Sequence, residues 1–310
     1  MTGPQLRDGL SDYLRLRRAL GYQLVRPEIL LNQFLTYLDH SGTATITVEQ
    51  ALSWARQGNG DPNWWAYRLS VVRGFATYLH TLDPTHEVPA ADLLPRRVRR
   101  ACPYLYSGDD VAALIAAAQS LGTTPMRRAT YATLIGLLAV TGMRVGEAIA
   151  IDRSEVDLEA GCLTVRNAKF GKSRELVVHP STVVALRQYL QERDHLAPAA
   201  PTAALFVSTA GTRLIYRNVS MTFHRLVRVA GLRPGTALSR PRLHDLRHSF
   251  VVHSMLDAYA AGQDGQTRLT LIATYLGHVQ PASTYWYLSA SPELMAVAGQ
   301  RLEAHLAGRP

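Results

Sequence analysis

Apolar residues recur at three- and four-residue intervals along most of the chain, and true alternation is confined to two short stretches. Leu6, Leu10, Tyr13, Leu14 and Leu20 keep helical spacing up to Gly21, a residue suited to the left-handed turn that ends a helix. Pro27 fits the first turn of a second helix carrying Leu31, Phe34, Leu35 and Leu38. Thr47-Val48-Glu49-Gln50 has the form of a capping box opening a third helix. Asp61-Pro62 opens a fourth, with Trp65, Leu69, Val72, Phe75 and Leu79 on its inner side and Trp64 on the rim. Residues 1–95 therefore read as a helical bundle.

The next stretch breaks the pattern. Pro95 and Pro103 bracket Arg96, Arg97, Arg99 and Arg100, and prolines at both ends keep this segment extended rather than helical. Helical periodicity resumes at Ser107, which caps a helix with Val111, Leu114 and Ile115 inward. A strongly apolar helix over 130–140 follows and breaks at Gly142, so that Arg144 starts another helix, where backbone N–H groups favour an anion. Residues 162–167 and 174–179 alternate and are rich in β-branched side chains, which predicts a hairpin with Lys169 to Ser173 between its strands. Helices are expected over 181–193, 218–230, 244–258 and 267–275, with a short strand at 205–208. A last amphipathic helix over 292–306 has little of its own chain left to pack on. The fold class is mainly α with a small antiparallel β-sheet. Its domains are a bundle at 1–95, a basic linker at 96–105 and a larger domain at 106–310.

Composition narrows the function. The chain has 310 residues, 47 % of them hydrophobic, and two cysteines, Cys102 and Cys162, which give neither a disulfide framework nor metal-ligand spacing. The longest aliphatic run, Leu134 to Val140, falls well short of the ~20 residues that span a bilayer, and a cytoplasmic protein is expected. Net charge is +9, but residues 1–95 carry eight Arg against nine acidic side chains. The excess lies in the linker and beyond, as expected of a strap and a face that follow a phosphate backbone. Of 33 basic residues, all but Lys169 and Lys172 are Arg. An ammonium releases a proton far more readily than a guanidinium, so a retained lysine points to proton donation.

Cutting a phosphodiester without metal takes cations on the non-bridging oxygens, a nucleophile in line, and an acid for the leaving oxygen. In chain order the sequence supplies Arg144, Lys169, His244, Arg247, His278 and Tyr287. No Asp-x-Asp pattern suits a two-metal nuclease, and although His244 and His248 have the spacing of a zinc pair, no third ligand stands out. No cofactor and no metal are expected.

These residues stand in recognisable surroundings: Thr141-Gly142-Met143-Arg144-Val145-Gly146-Glu147, Lys169-Phe170-Gly171-Lys172-Ser173-Arg174, His244-Asp245-Leu246-Arg247, Leu276-Gly277-His278, and Tyr287 nine residues after His278. In this order they resemble the motifs of the tyrosine recombinases of the phage-integrase family, over about residues 96–290. The resemblance implies an integrase-type catalytic domain after a core-binding, SAM-like bundle. Tyr287, rather than Tyr285, would form a 3′-phosphotyrosine without ATP. Arg144, Arg247 and His278 would stabilise the phosphorane, with His244 assisting at the nucleophile, Lys169 as acid and Glu147 balancing the first arginine. Arg96, Arg97, Arg99, Arg100, Lys172 and Arg174 would contact DNA. The partner would be double-stranded DNA with a specific recombination site. Protomers would assemble as dimers and tetramers through the helix at 292–306, and the protein would lie on the nucleoid when bound. The sequence departs from the family pattern in a longer Gly/Gln-rich segment at 260–266. Integration, resolution and transposition share these residues, and a non-cutting regulator on the same fold would be expected to lack one of them.

Overall fold

The computed structural model describes residues 3–307 apart from 59, 96–101, 123, 167–172, 199, 234–239 and 278–291. The sequence-derived DNA contacts Arg96, Arg97, Arg99, Arg100 and Lys172, and the proposed catalytic groups Lys169, His278 and Tyr287, lie outside the described residues. The chain divides into two compact units, residues 1–100 and 101–310.

The first unit consists of α1 (Gly3–Ala19), α2 (Val25–His40), α3 (Val48–Arg56) and α4 (Pro62–Leu82). Its core gathers the stripe positions of the sequence pattern: Leu6, Leu10, Leu31, Phe34, Leu38, Leu69, Phe75 and Leu79 are all buried, and Trp54 of α3 joins them. The anticipated box at Thr47 is present, with Gln50 N donating to Thr47 Oγ1 and Thr47 N to Gln50 Oε1, both at 3.2 Å. Asp61 caps α4 by accepting from Asn63 N at 2.7 Å. Trp64 is half-buried, as its rim position implied, with the Arg26 guanidinium 4.7 Å from its ring centroid. Trp65, expected inward, is also only half-buried.

A buried histidine closes this unit. His86 is 0 % exposed, and its Nδ1 accepts from Ile46 N at 3.1 Å, fastening the segment after α4 to the entrance of α3. Burial, more than any neighbouring charge, holds this imidazole below its ordinary value of 6.5. Folding thus favours the neutral ring. Stability that depends on it is complete above pH 6.5 and is lost as pH falls from there toward the lowered native value. Thermal unfolding of the full chain should therefore shift less between pH 7.5 and 5 in His86→Gln, whose amide oxygen can still accept from Ile46, than in the wild type; equal shifts would remove the group from the account.

The second unit is arranged around α6 (Pro125–Thr141), which is packed against α5 (Gly108–Gln119), α7 (Val145–Ala150), α8 (Pro180–Leu196) and α10 (Leu243–Ala260). It is buried on several sides, through Tyr131, Leu134, Ile135, Leu137 and Leu138, which explains the near-continuous apolar run in the sequence. It starts earlier than residue 130, where the sequence placed it, because Pro125 supplies a first-turn proline. Strands β1 (Val156–Asp157), β2 (Cys162–Val165) and β3 (Arg174–Val177) form one antiparallel sheet in that order, with Val165 opposite Arg174 as the pair nearest the turn of the expected hairpin and Cys162 opposite Val177 at its open end. The two-residue β1 was not anticipated. Residues 205–208 form no strand: this segment makes only isolated bridges, Asp152 with Ala204 and Val207 with Arg213.

α9 (Tyr216–Val229) precedes α10, and α11 (Gly265–Tyr275) follows it. The unusual segment at 260–266 forms the end of α10, a turn with Gly262 at φ 68°, and a cap in which Asp264 accepts from Thr267 N at 2.7 Å. The final helix, α12 (Pro292–Ala307), is not without support in its own chain. Leu294 is buried in a cluster with Val251, Val252, Met255, Leu269, Ile272 and Leu276, while Met295 remains exposed.

Candidate active site

Arg144 stands where the chain leaves α6 and turns into α7. The turn is made by Gly142 in the left-handed region at φ 59°; a side chain there would also strike the Phe250 ring, at 2.5 Å, so only glycine fits. Arg144 lies one residue before α7, and the carboxylate of Glu147 occupies that helix start by accepting from Arg144 N at 3.0 Å. The sequence suggested an open anion site there. The anion is the chain's own. Nη1 of Arg144 also donates to Glu147 Oε1 at 2.8 Å, and the arginine side chain remains 34 % exposed against 8 % for the glutamate. Burial, the largest influence, works to raise the Glu147 carboxyl, yet hydrogen bonds from Arg174 and Arg144 leave it below the usual value.

His244 and Arg247 lie one turn apart near the start of α10. Arg247 is only 1 % exposed, a costly position for a charge unless its donors are used. Nη1 donates to Gly142 O at 2.9 Å and Nη2 to Leu276 O at 3.1 Å. One guanidinium thus joins the turn before Arg144, the helix bearing His244, and the end of α11 two residues before His278. The start of α10 is further held by Asp245, 0 % exposed, which accepts from Arg242 Nη2 at 2.9 Å and Nε at 3.1 Å. Burial chiefly, then the charges of Arg247 and Arg144, keep the His244 imidazole below 6.5. The same helix carries His248, held down at about 4 chiefly by burial.

Arg174, expected on DNA, is placed differently. Its side chain is 12 % exposed, and Nη2 donates to Glu147 Oε2 at 2.8 Å while Nε donates to Tyr275 O at 3.0 Å. The Arg174–Glu147 pair and the Arg242–Asp245 pair were both missed in the sequence. The first joins residues 27 positions apart and has no local signal, whereas Arg242-x-x-Asp245 has readable i, i+3 spacing. The described part of the site therefore brings together Arg144, Glu147, Arg174, His244 and Arg247, together with the residues that lead into the hairpin and into Leu276-Gly277-His278.

The profile of the phage integrase family matches residues 105–293, more than half of the chain and most of the second unit. The chain belongs to the phage integrase family. A putative integrase/recombinase, y4rB, of Sinorhizobium fredii strain NBRC 101917 / NGR234 is 43 % identical over 303 residues, covering 96 % of either chain. Tyrosine recombinase XerC of Azotobacter vinelandii is 32 % identical over 219 residues, 71 % of this chain and 67 % of that one. The Tn1549 transposon integrase, solved in complex with a circular intermediate DNA, superposes with a TM-score of 0.64 over 97 % of this chain and 99 % of its own at 17 % identity, a likeness of fold. The resemblance drawn from the motifs and the mainly helical fold with its small sheet are thus borne out, and the protein is a tyrosine-type site-specific recombinase. Within that family setting, the half-buried Arg174 and the buried Arg247 act first as fasteners between motif segments.

Proposed function

We propose that the motif segments form one site of phosphodiester transfer on double-stranded DNA bearing a specific recombination sequence. The observation that carries this is the Arg247 bridge, which gathers the Arg144 turn, the His244 helix and the approach to His278 around one buried guanidinium. Arg144, Arg247 and His278 would balance charge on the non-bridging oxygens as the pentacoordinate state forms. The Tyr287 oxygen forms a bond to phosphorus as the bond to the 5′ oxygen breaks. The phenolic proton passes to His244, and Lys169 protonates the departing oxygen, leaving a 3′-phosphotyrosine and a 5′-hydroxyl. A 5′-hydroxyl from a partner duplex then attacks the ester and releases the tyrosine. The ester conserves the energy of the broken bond, so the scheme uses no nucleotide.

Arg96, Arg97, Arg99, Arg100 and Lys172 would follow the DNA backbone, and exposed side chains of α12 such as Met295 would meet a second protomer as dimers and tetramers assemble on the DNA. Among the described residues no helix is long and apolar enough to cross a membrane. As a protein that acts on DNA it would join the nucleoid in the cytoplasm when bound. Transposition is the nearest variant, because the Tn1549 protein that shares this fold is a transposon integrase.

The direct test is a nicked suicide duplex carrying DNA that the protein protects from footprinting. A covalent adduct should form, and its peptide should carry the phosphate on Tyr287; protection without any adduct, or an adduct on Tyr285, refutes the scheme. Two further results are expected with that substrate. Because the base form of His244 is needed and its native value is depressed, the single-turnover rate should hold level down to pH 6.5 and decline only below it; a decline beginning above pH 7 would rule out this imidazole. Lys169→Ala should be slow on the ordinary duplex and recover on one with a 5′-bridging sulfur, which leaves without a proton. No recovery would mean that the acid is another group.

A further inference from the structure

Two guanidiniums share the Glu147 carboxylate, and they are not equivalent. Arg144, 34 % exposed, gives the carboxylate one side-chain nitrogen, Nη1 on Oε1 at 2.8 Å. Arg174, 12 % exposed, approaches from the protein side, with Nη2 on Oε2 at 2.8 Å and Nη1 on Oε1 at 3.4 Å. The third donor of Arg174, Nε, is spent on Tyr275 O. Its guanidinium also lies against Gly277: a Cβ built there would stand 3.1 Å from Nη1 and 3.2 Å from Cδ, and the backbone has φ +69°. Arg174 therefore fills the space between the Arg144 segment and the residue just before His278. It does so from the first position of β3, directly after the hairpin segment that holds Lys169.

The chemistry of a lone pair would be different. A carboxylate facing a single arginine prefers the bidentate fork, both oxygens on two parallel N–H groups. Glu147 in that arrangement would neutralise Arg144 and occupy the nitrogens that a phosphate needs. With Arg174 present, one negative charge lies between two positive ones, and the group keeps a net charge of +1. Arg174 takes the fork, and Arg144 is left with a single side-chain bond to the carboxylate.

We propose that Arg174 is a positioning residue for strand cleavage: by holding Glu147 it leaves the outer guanidinium of Arg144 charged and open toward the scissile phosphate. This rests on the reading of Arg144 as a phosphate ligand, and it replaces the DNA contact expected for Arg174 from the sequence. The same side chain fastens β3 and the Tyr275 to Gly277 stretch to that carboxylate, so the inner pair joins three segments at once.

The test compares wild type, Arg174→Ala, Arg174→Lys, Glu147→Gln and the Arg174→Ala/Glu147→Gln double variant on a nicked duplex with which the wild type forms its adduct. DNA affinity, the fraction of protein that reacts and the single-turnover rate are measured separately. Arg174→Ala should bind within about threefold of wild type and react to a similar extent, but about 100-fold more slowly, the scale of losing one preorganised donor to a phosphoryl group. Arg174→Lys, which keeps the charge but not the fork, should fold and fall between the two. The decisive result is the double variant. Removing the Glu147 charge should recover about tenfold of the lost rate, because no carboxylate remains to close over Arg144. A 5′-bridging sulfur should not rescue Arg174→Ala, since proton donation is not what it lost.

An affinity loss of tenfold or more with an unchanged rate at saturation would return Arg174 to the DNA backbone and overturn the proposal. A smaller reacting fraction at wild-type rate, or a double variant no faster than Arg174→Ala, would reduce Arg174 to a purely structural part and overturn it equally. A wild type that never forms the adduct contradicts the underlying scheme instead, and that outcome is visible before any variant is compared.

Discussion

Tyr287→Phe binds its site DNA as tightly as the wild type and forms no covalent adduct. This is the expected result of removing one oxygen from a side chain whose ring is otherwise unchanged. In the proposed scheme the phenolic oxygen attacks phosphorus, and phenylalanine has no atom to replace it. Loss of a nucleophile costs about 10⁴-fold or more even when every other group remains. Binding should hardly change, because affinity for DNA comes from cations along the phosphate backbone rather than from the attacking group. The measurement is an adduct assay on the suicide duplex beside a binding titration, with Tyr285→Phe as a second variant. Tyr285 is two residues away and equally phenolic, and its substitution should leave the rate within about threefold. If Tyr287→Phe still yields adduct while Tyr285→Phe does not, the nine-residue spacing from His278 has been applied to the wrong tyrosine.

The second large effect falls on Arg247, and it combines stability with chemistry. Its guanidinium is 1 % exposed and donates to Gly142 O and Leu276 O. Arg247→Ala removes both donors at once and leaves a cavity among buried groups. A buried carbonyl without a partner costs about 1–3 kcal/mol. Together with the space left behind, Arg247→Ala should therefore destabilise the second unit by about 3–5 kcal/mol and lower its melting temperature by several degrees. Arg247→Lys is the more informative variant. It keeps the charge, but an ammonium is a compact point charge and cannot reproduce the planar fork that reaches two carbonyls and, in the proposed scheme, a phosphate. It should fold with a smaller loss of stability and cleave about 10²–10³-fold more slowly, the scale of one displaced donor in a charge-stabilising site. A lysine variant with both wild-type melting and wild-type cleavage would show that Arg247 neither holds the segments nor meets the phosphate.

Much of this protein was legible before any coordinates. The stripe Leu31, Phe34, Leu35, Leu38 forms the buried side of α2, and the capping signals at Thr47, Asp61 and Ser107 each open a helix at the position they mark. Such signals are local: periodicity and caps act within a few residues, so one segment is enough to read them. The exceptions fall where a longer-range partner decides. Residues 205–208 look like a strand, yet their neighbours in space, Ile151 and Thr212 among them, give backbone partners only at single positions, and no ladder forms. The internal partner of α12 is hidden in the sequence because Leu294 finds its place on α10 and α11, helices that end well before it in the chain.

The same division runs through the site. Sequence alone supplied the candidate chemistry, Arg, Lys, His, Arg, His and Tyr in fixed surroundings and order, a resemblance to the family that needs no reference to position in space. Tertiary structure decided how each arginine is placed. Arg144, Arg174 and Arg247 are equal as letters, but their burial and partners differ. Arg144 stays outward beside its carboxylate, whereas Arg174 and Arg247 are folded inward onto Glu147 and onto the backbone carbonyls of Gly142, Tyr275 and Leu276. A guanidinium with five donors satisfies whichever acceptors surround it. Those acceptors come from segments as far as 105 residues away, so only the folded chain could divide the arginine that stays outward from the two that are folded inward.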